Sequence, residues 1–174
     1  MNRRHIISVL VENHFGVLAR IASLIAGRGF NIDSLTVGET EDPTLSRMTI
    51  VTHGDERIIE QITKQLNRLI DVVKVTDLTE MAHVERELVL IKVAVANAEM
   101  RSEIIQITDV FRARVVDISA NTLTIEVTGD QEKVRAITEL LEPIGIKEIA
   151  RTGVVSLGRE RVPVRRTASE TKAA

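Results

Sequence analysis

The chain has 174 residues, 44% apolar and 28% charged, with a formal net charge of -2, a length that holds one ordinary domain or two very small ones. Near-balanced charge removes any global pull toward nucleic acid or anionic membrane, and three Phe with no Trp or Tyr leave no stacking platform for single-stranded nucleic acid. The absence of Cys excludes disulfides, thiolate chemistry and cysteine-ligated zinc.

Residues 4 to 11 read as a buried strand rich in β-branched side chains. The apolar run is short and is broken by Ser8, Glu12 and Asn13, so neither a signal peptide nor a membrane span is expected, and a cytoplasmic address is. Val17, Leu18, Ile21, Leu24 and Ile25 then share one helical face, with Gly27 and Gly29 as the stop. Residues 31 to 38 and Ser46 to His53 read as strands around the turn-forming run Glu41 to Thr44. Gly54 and Asp55 open a second helix with an inward stripe of Ile58, Ile62, Leu66 and Leu69, and residues 71 to 78 close a β-α-β-β-α-β unit.

The same order repeats about eighty residues later, a sign of internal duplication. Residues 87 to 95 form a strand, and Glu99 to Phe111 a helix with Ile104, Ile107 and Phe111 inward. Val115 to Ser119 and Leu123 to Thr128 pair around Ala120 and Asn121. Asp130 caps a helix lined by Val134, Ile137 and Leu141 and stopped by Pro143 and Gly145, and residues 146 to 155 make the last strand. The expected organisation is therefore α+β, two tandem ferredoxin-like βαββαβ domains at 1–78 and 86–158, joined by 79–85 and followed by a frayed tail at 159–174. Each half is small for a self-sufficient core, so an oligomer is expected.

The segment Asn13 to Leu18 passes from strand to helix, and the unpartnered N–H groups of a helix start can receive a carboxylate or phosphate. The plainer alternative is an ordinary connection with Asn13 or His14 as N-cap. Asn31, at the start of the next strand, favours a ligand, because two carboxamides can accept from an ammonium and donate to a carboxylate. His5 and His53 fall on neighbouring strands, where they could form a weak metal or pH site or be two exposed imidazoles. Glu39, Glu41 and Asp42 make an acidic hairpin tip that either gathers a cation or is simply solvated. Arg47 is the one charge that stands out as a partner contact, against the reading of a solvated strand-edge charge. No phosphate loop, nucleophile elbow or paired catalytic carboxylates can be found, so no catalytic residue and no metal ligand is assigned.

Ser8 to Asn13 with Gly16-Val17-Leu18, Arg28 to Val37, and Asp42 to Ile50 resemble the ACT-domain ligand signature. Together with His83 to Leu88 and Ala150 to Val155, they make the chain similar to the small regulatory subunits of acetolactate synthase over nearly everything before the tail. The resemblance implies a first ACT domain that dimerises, and a subunit without catalysis of its own. Such a subunit binds a large catalytic subunit carrying thiamine diphosphate, Mg and FAD, raises its activity, and confers feedback inhibition by valine or another branched-chain amino acid. Carried over by position, Asn13 with Gly16, Val17 and Leu18 would hold one face of the amino acid, and Asn31 with Ile32 would come from the neighbouring copy. Phe15 departs from the pattern, since many members place Pro before the glycine. The rival readings are an amino-acid-responsive transcription regulator, for which no basic recognition helix is visible, a stand-alone ACT-type sensor, and a free-standing ferredoxin-like enzyme.

Overall fold

A computed structural model of the chain describes residues 3–27 and 31–160. The first half is β1 (Arg3–Glu12), α1 (Val17–Ala26), β2 (Ser34–Glu39), β3 (Leu45–Gly54), α2 (Glu56–Leu66) and β4 (Val72–Asp77). The strands lie in the order β2-β3-β1-β4, each antiparallel to its neighbour. Alternation along β1 sends Ile7, Val9 and Val11 toward the helices, where they join Met48, Ile50, Val17, Ile21 and Ile25 in one core. Asp55 caps α2 by accepting from the Ile58 amide at 2.9 Å. The buried stripe of α2 is Ile59, Ile62 and Leu66, with Ile58 and Leu69 only partly covered, one residue round from the face expected.

The second half repeats this plan with β5 (His83–Ala94), α3 (Ala98–Val110), β6 (Arg114–Ile118), β7 (Thr122–Gly129), α4 (Gln131–Gly145) and β8 (Ile146–Arg151). Its sheet order is β6-β7-β5-β8, over a separate core that includes Val89, Ile91, Ile104, Ile125 and Ile137. Asn97 and Asp130 cap α3 and α4 through their side chains. Helix α4 ends at Gly145, as expected, with Pro143 inside its last turn. A proline in the last turn forfeits a single backbone bond, and burial of Ile144 and Ile146 against the second core holds the chain in line. Among the described residues no helix is long and apolar enough to cross a membrane.

Two further differences from the sequence reading matter. Strand β5 begins at His83, so residues 83–85, expected in the connector, are extended and paired. The strand expected over 146–155 is also broken in two: β8 ends at Arg151, and a new strand β9 (Val155–Gly158) pairs antiparallel with His83–Arg86. Of the tail expected from 159, residues 161–174 lie outside the described residues, as does Gly29 of the expected α1 stop.

The break at Gly153 joins the halves. Helices cover one face of the first sheet, leaving Ile6, Ser8, Thr49 and Val51 on the other, and the β5–β9 ribbon lies across it. Val154 packs with Ile6, Val51 and Leu78. Its amide donates to Ser34 Oγ at 2.9 Å, and its carbonyl accepts from Thr36 Oγ1 at 2.7 Å. Arg4 pairs with Glu85 at 2.9 Å across the same seam. Gly153 sits at φ +83°, and a Cβ there would lie 2.7 Å from Ser34 Oγ and 3.0 Å from Thr36 Cγ2.

The histidines of β1 and β3 do not form a site. Arg4 is opposite His53 and His5 opposite Thr52, so the two imidazoles project from opposite faces of the sheet. His5 is buried against the Gly54 carbonyl, whereas His53 meets Asp33 at 2.6 Å.

Because Gly153 combines a left-handed backbone with contact on β2, Gly153→Ala should destabilise the chain by about 1–3 kcal/mol. Thermal unfolding followed by circular dichroism checks this, and an unchanged midpoint would show that the turn is not seated on β2.

Candidate effector site

The loop from β1 to α1 is built around Gly16, which occupies the N-cap position at φ +89° and offers no side-chain cap. Neither Asn13 nor His14 takes that role. Only the Gly16 carbonyl is used locally, accepting from the Arg20 amide at 3.0 Å. Among the described residues, the amides of the first turn, beginning with Val17 and Leu18, have no partner inside the helix and none from a cap. A Cβ built on Gly16 would meet nothing within 4 Å, so the space beside Gly16 is open. Leu18 is exposed beside them, and Phe15, at the position where the resemblance leads one to expect Pro, is fully exposed.

Asn13 is held in place by the β2–β3 hairpin. Its Nδ2 donates to Glu39 Oε1 at 3.1 Å and to the Pro43 carbonyl at 3.0 Å, and its backbone amide donates to the Thr44 carbonyl at 2.7 Å. Both amide hydrogens are therefore spent, and the side-chain oxygen is left as the acceptor. The acidic hairpin tip is occupied with its own structure. Asp42 Oδ1 accepts from the Thr44 amide and hydroxyl, and the hydroxyl first, then the amide, hold the Asp42 carboxyl below its ordinary range. A carboxyl so lowered adds stability above its unfolded value, and that stability is lost as pH falls through the folded one.

Beneath the loop, Asp71 is only 5% exposed and pairs with Arg20 through one oxygen. Its other oxygen lies 3.1 Å from His14 Nε2, which is 3.2 Å from Glu12. The Glu12, His14 and Asp71 ligand atoms lie within 4.8 Å of one another, a spacing that suits a metal ion. Arg20 already supplies a positive charge to Asp71, and the group serves to tether the loop to the start of β4. The sequence reading named His14 but missed Glu39, Pro43, Thr44, Arg20 and Asp71 as supports. A lone Arg20 and an Asp71 51 residues apart carry no periodic signal.

Asn31 is exposed, its Nδ2 donating to Asp33 Oδ1 at 2.7 Å and its carbonyl accepting from Thr52 Oγ1 at 2.6 Å. Ile32 packs at the margin of the first core. Asn13 extends beyond the Glu12–Leu45 pair, whereas Asn31 lies beside Thr52. At about 3.3 Å per strand residue the two asparagines stand roughly 25 Å apart. One copy of the chain thus brings Asn13 together with Gly16, Val17 and Leu18, and leaves Asn31 and Ile32 at the opposite end of the sheet.

Replacing Asp71 by Asn removes the charge that faces both Arg20 and His14 while keeping the volume. Asp71→Asn should lower stability by about 1–3 kcal/mol, because the buried polar position loses its charge-assisted partners. Urea denaturation measures this, and the amide signals of residues 12–18 in NMR spectra should move with it.

The site can be set beside known proteins. The sequence model described as the small subunit of acetolactate synthase matches residues 86–160, and that described as the AHAS small subunit-like ACT domain matches residues 7–74. The chain is 59% identical over 158 residues to the acetolactate synthase small subunit of Aquifex aeolicus, covering 91% of this chain and 82% of that protein. It is 55% identical over 155 residues to that of Mycolicibacterium smegmatis, covering 89% and 91%. The crystal structure of the acetolactate synthase small subunit from Thermotoga maritima superposes with a TM-score of 0.81 at 47% identity, covering 92% of this chain and 99% of that one. The chain belongs to the acetolactate synthase small subunit family, and its first half is an ACT domain.

Proposed function

We propose that this chain is the regulatory subunit of a cytoplasmic acetolactate synthase, without catalysis of its own. It binds the thiamine-diphosphate-dependent large catalytic subunit, which also carries Mg and FAD, raises its activity, and makes it sensitive to valine or another branched-chain amino acid. Residues 1–78 bind the effector and dimerise, and 86–158 form the second domain, linked through 79–85.

The observation that carries this reading is the uncapped start of α1 at Gly16, flanked by an immobilised Asn13. The first-turn amides of Val17 and Leu18 suit a carboxylate. The free oxygen of Asn13 and the carboxylate of Glu39 suit an ammonium, and Leu18 offers an apolar surface for a branched side chain. A free amino acid presents all three groups at once.

The missing half comes from a second copy. Strand β2 is the outer strand of its sheet, with Asn31 and Ile32 just before its start and Glu39, which holds Asn13, at its end. Antiparallel pairing of two β2 strands about a two-fold axis sets the start of one against the end of the other. Asn31 and Ile32 of one copy then close over Asn13, Gly16, Val17 and Leu18 of the other. An effector so placed binds one arrangement of the two chains better than another, and a preference of about 1–3 kcal/mol is enough for regulation.

Asn13→Ala should leave activation of the catalytic subunit intact while raising the valine concentration for half-inhibition by at least about tenfold, as expected for a lost ligand contact of roughly 1.4 kcal/mol. Acetolactate formation by the reconstituted complex measures both. A variant as sensitive as wild type would exclude this site. Calorimetric titration with valine, leucine and isoleucine should give one ligand per chain.

A further inference from the structure

The ribbon covers only part of the open face of the first sheet. Near the other end of that face Arg47, Leu10 and Lys74 lie directly opposite one another on β3, β1 and β4. A cleft of about 430 Å³ opens between β2, β3 and the ribbon. Its aliphatic wall is Val84, Val155 and Leu157, all exposed, Leu157 by 62%. Arg47 and Arg86 stand at its margin. Arg47 donates to the neutral Ser8 Oγ at 3.2 Å, and Arg86 to the Glu85 carbonyl at 2.6 Å. Among the described residues neither guanidinium pairs with a carboxylate, and nor does Lys74.

A contiguous aliphatic patch edged by unpaired cations fits a partner that is apolar at its centre and acidic around it. A second copy would bring the same guanidiniums and set cation against cation. We infer that this cleft docks the catalytic subunit, through a segment presenting aliphatic side chains flanked by carboxylates; the inference rests on the chain being a regulatory subunit. Glu39 links the cleft to the effector site, since it borders the cleft and also accepts from Asn13. An amino acid that draws on Asn13 or Glu39 therefore acts one side chain away from the docked partner.

The test uses the full chain and its purified catalytic subunit, with affinity read by biolayer interferometry at several salt concentrations. Arg47→Glu, Arg86→Glu and Leu157→Asp should each weaken binding at least tenfold, and the two charge reversals should flatten the salt dependence. Lys64→Glu, on α2 away from the cleft, should bind within twofold of wild type, and valine binding should survive in all four. Cleft variants that bind within twofold of wild type overturn the docking surface. Variants that change self-association while leaving partner binding alone assign the cleft to a copy–copy contact and overturn it equally. No binding by the wild-type chain overturns the regulatory reading itself. Leu157→Asp lies on an exposed side chain and keeps the test valid should Arg47→Glu fail to fold.

Discussion

A four-stranded sheet with helices on one side has a second face that must also be dealt with, and this chain depends on how it covers that face. Ile6 and Val51 are apolar, yet Ser8, Thr49, Ser34 and Thr36 beside them are small and polar. Such a surface suits close approach of another backbone better than a layer of large side chains. The β5–β9 ribbon supplies that backbone. Val154 fills the apolar spot, and its two main-chain groups are satisfied by the hydroxyls of β2. Burial without those hydroxyls would strand a peptide group away from water, at a cost comparable to the gain from one aliphatic side chain.

The proposed effector site relies on main-chain groups more than on charged side chains. Helix-start amides are fixed by the helix itself and need no rearrangement to receive a carboxylate. What varies is the frame around them: Asn13 is clamped by the β2–β3 hairpin, and the loop below is anchored through His14 and Arg20 to the buried Asp71. The proposed binding groups are thus held in place, and in the proposed dimer the surface that completes them belongs to the second copy. Ligand binding in that proposed dimer is thereby a change at an interface.

Glu39 is where the separate parts of the first domain meet. It ends β2, holds Asn13, and borders the cleft beside Arg47. The same strand carries Ser34 and Thr36, five and three residues before Glu39, on which the second half rests. One six-residue strand therefore touches the proposed ligand, the proposed dimer edge and the second domain. Each of these contacts bears on its position, so a ligand at one end has a physical route to the others.

Alternating strands and amphipathic helices were legible from the sequence because each has one buried face, and burial imposes a period that local reading can detect. The same local logic located Asn13, Gly16 and Asn31, since a strand ending in Asn and restarting after Gly is a local pattern. What remained hidden was set at a distance. Gly153 breaks the last strand because Ser34 and Thr36, some 120 residues earlier, receive the turn. His5 and His53 were neighbours by strand order but lie on opposite faces by register. The sequence by itself determined the duplicated βαββαβ plan, the two cores and the strand-to-helix break at Asn13 and Gly16, all of which follow from nearby residues, whereas the structure decided that no side chain caps that helix start. Only the tertiary structure decided that Asn13 and Asn31 stand at opposite ends of one sheet, that the hairpin clamps Asn13, and that β9 welds the halves, because those outcomes depend on pairing between segments with no pattern in common.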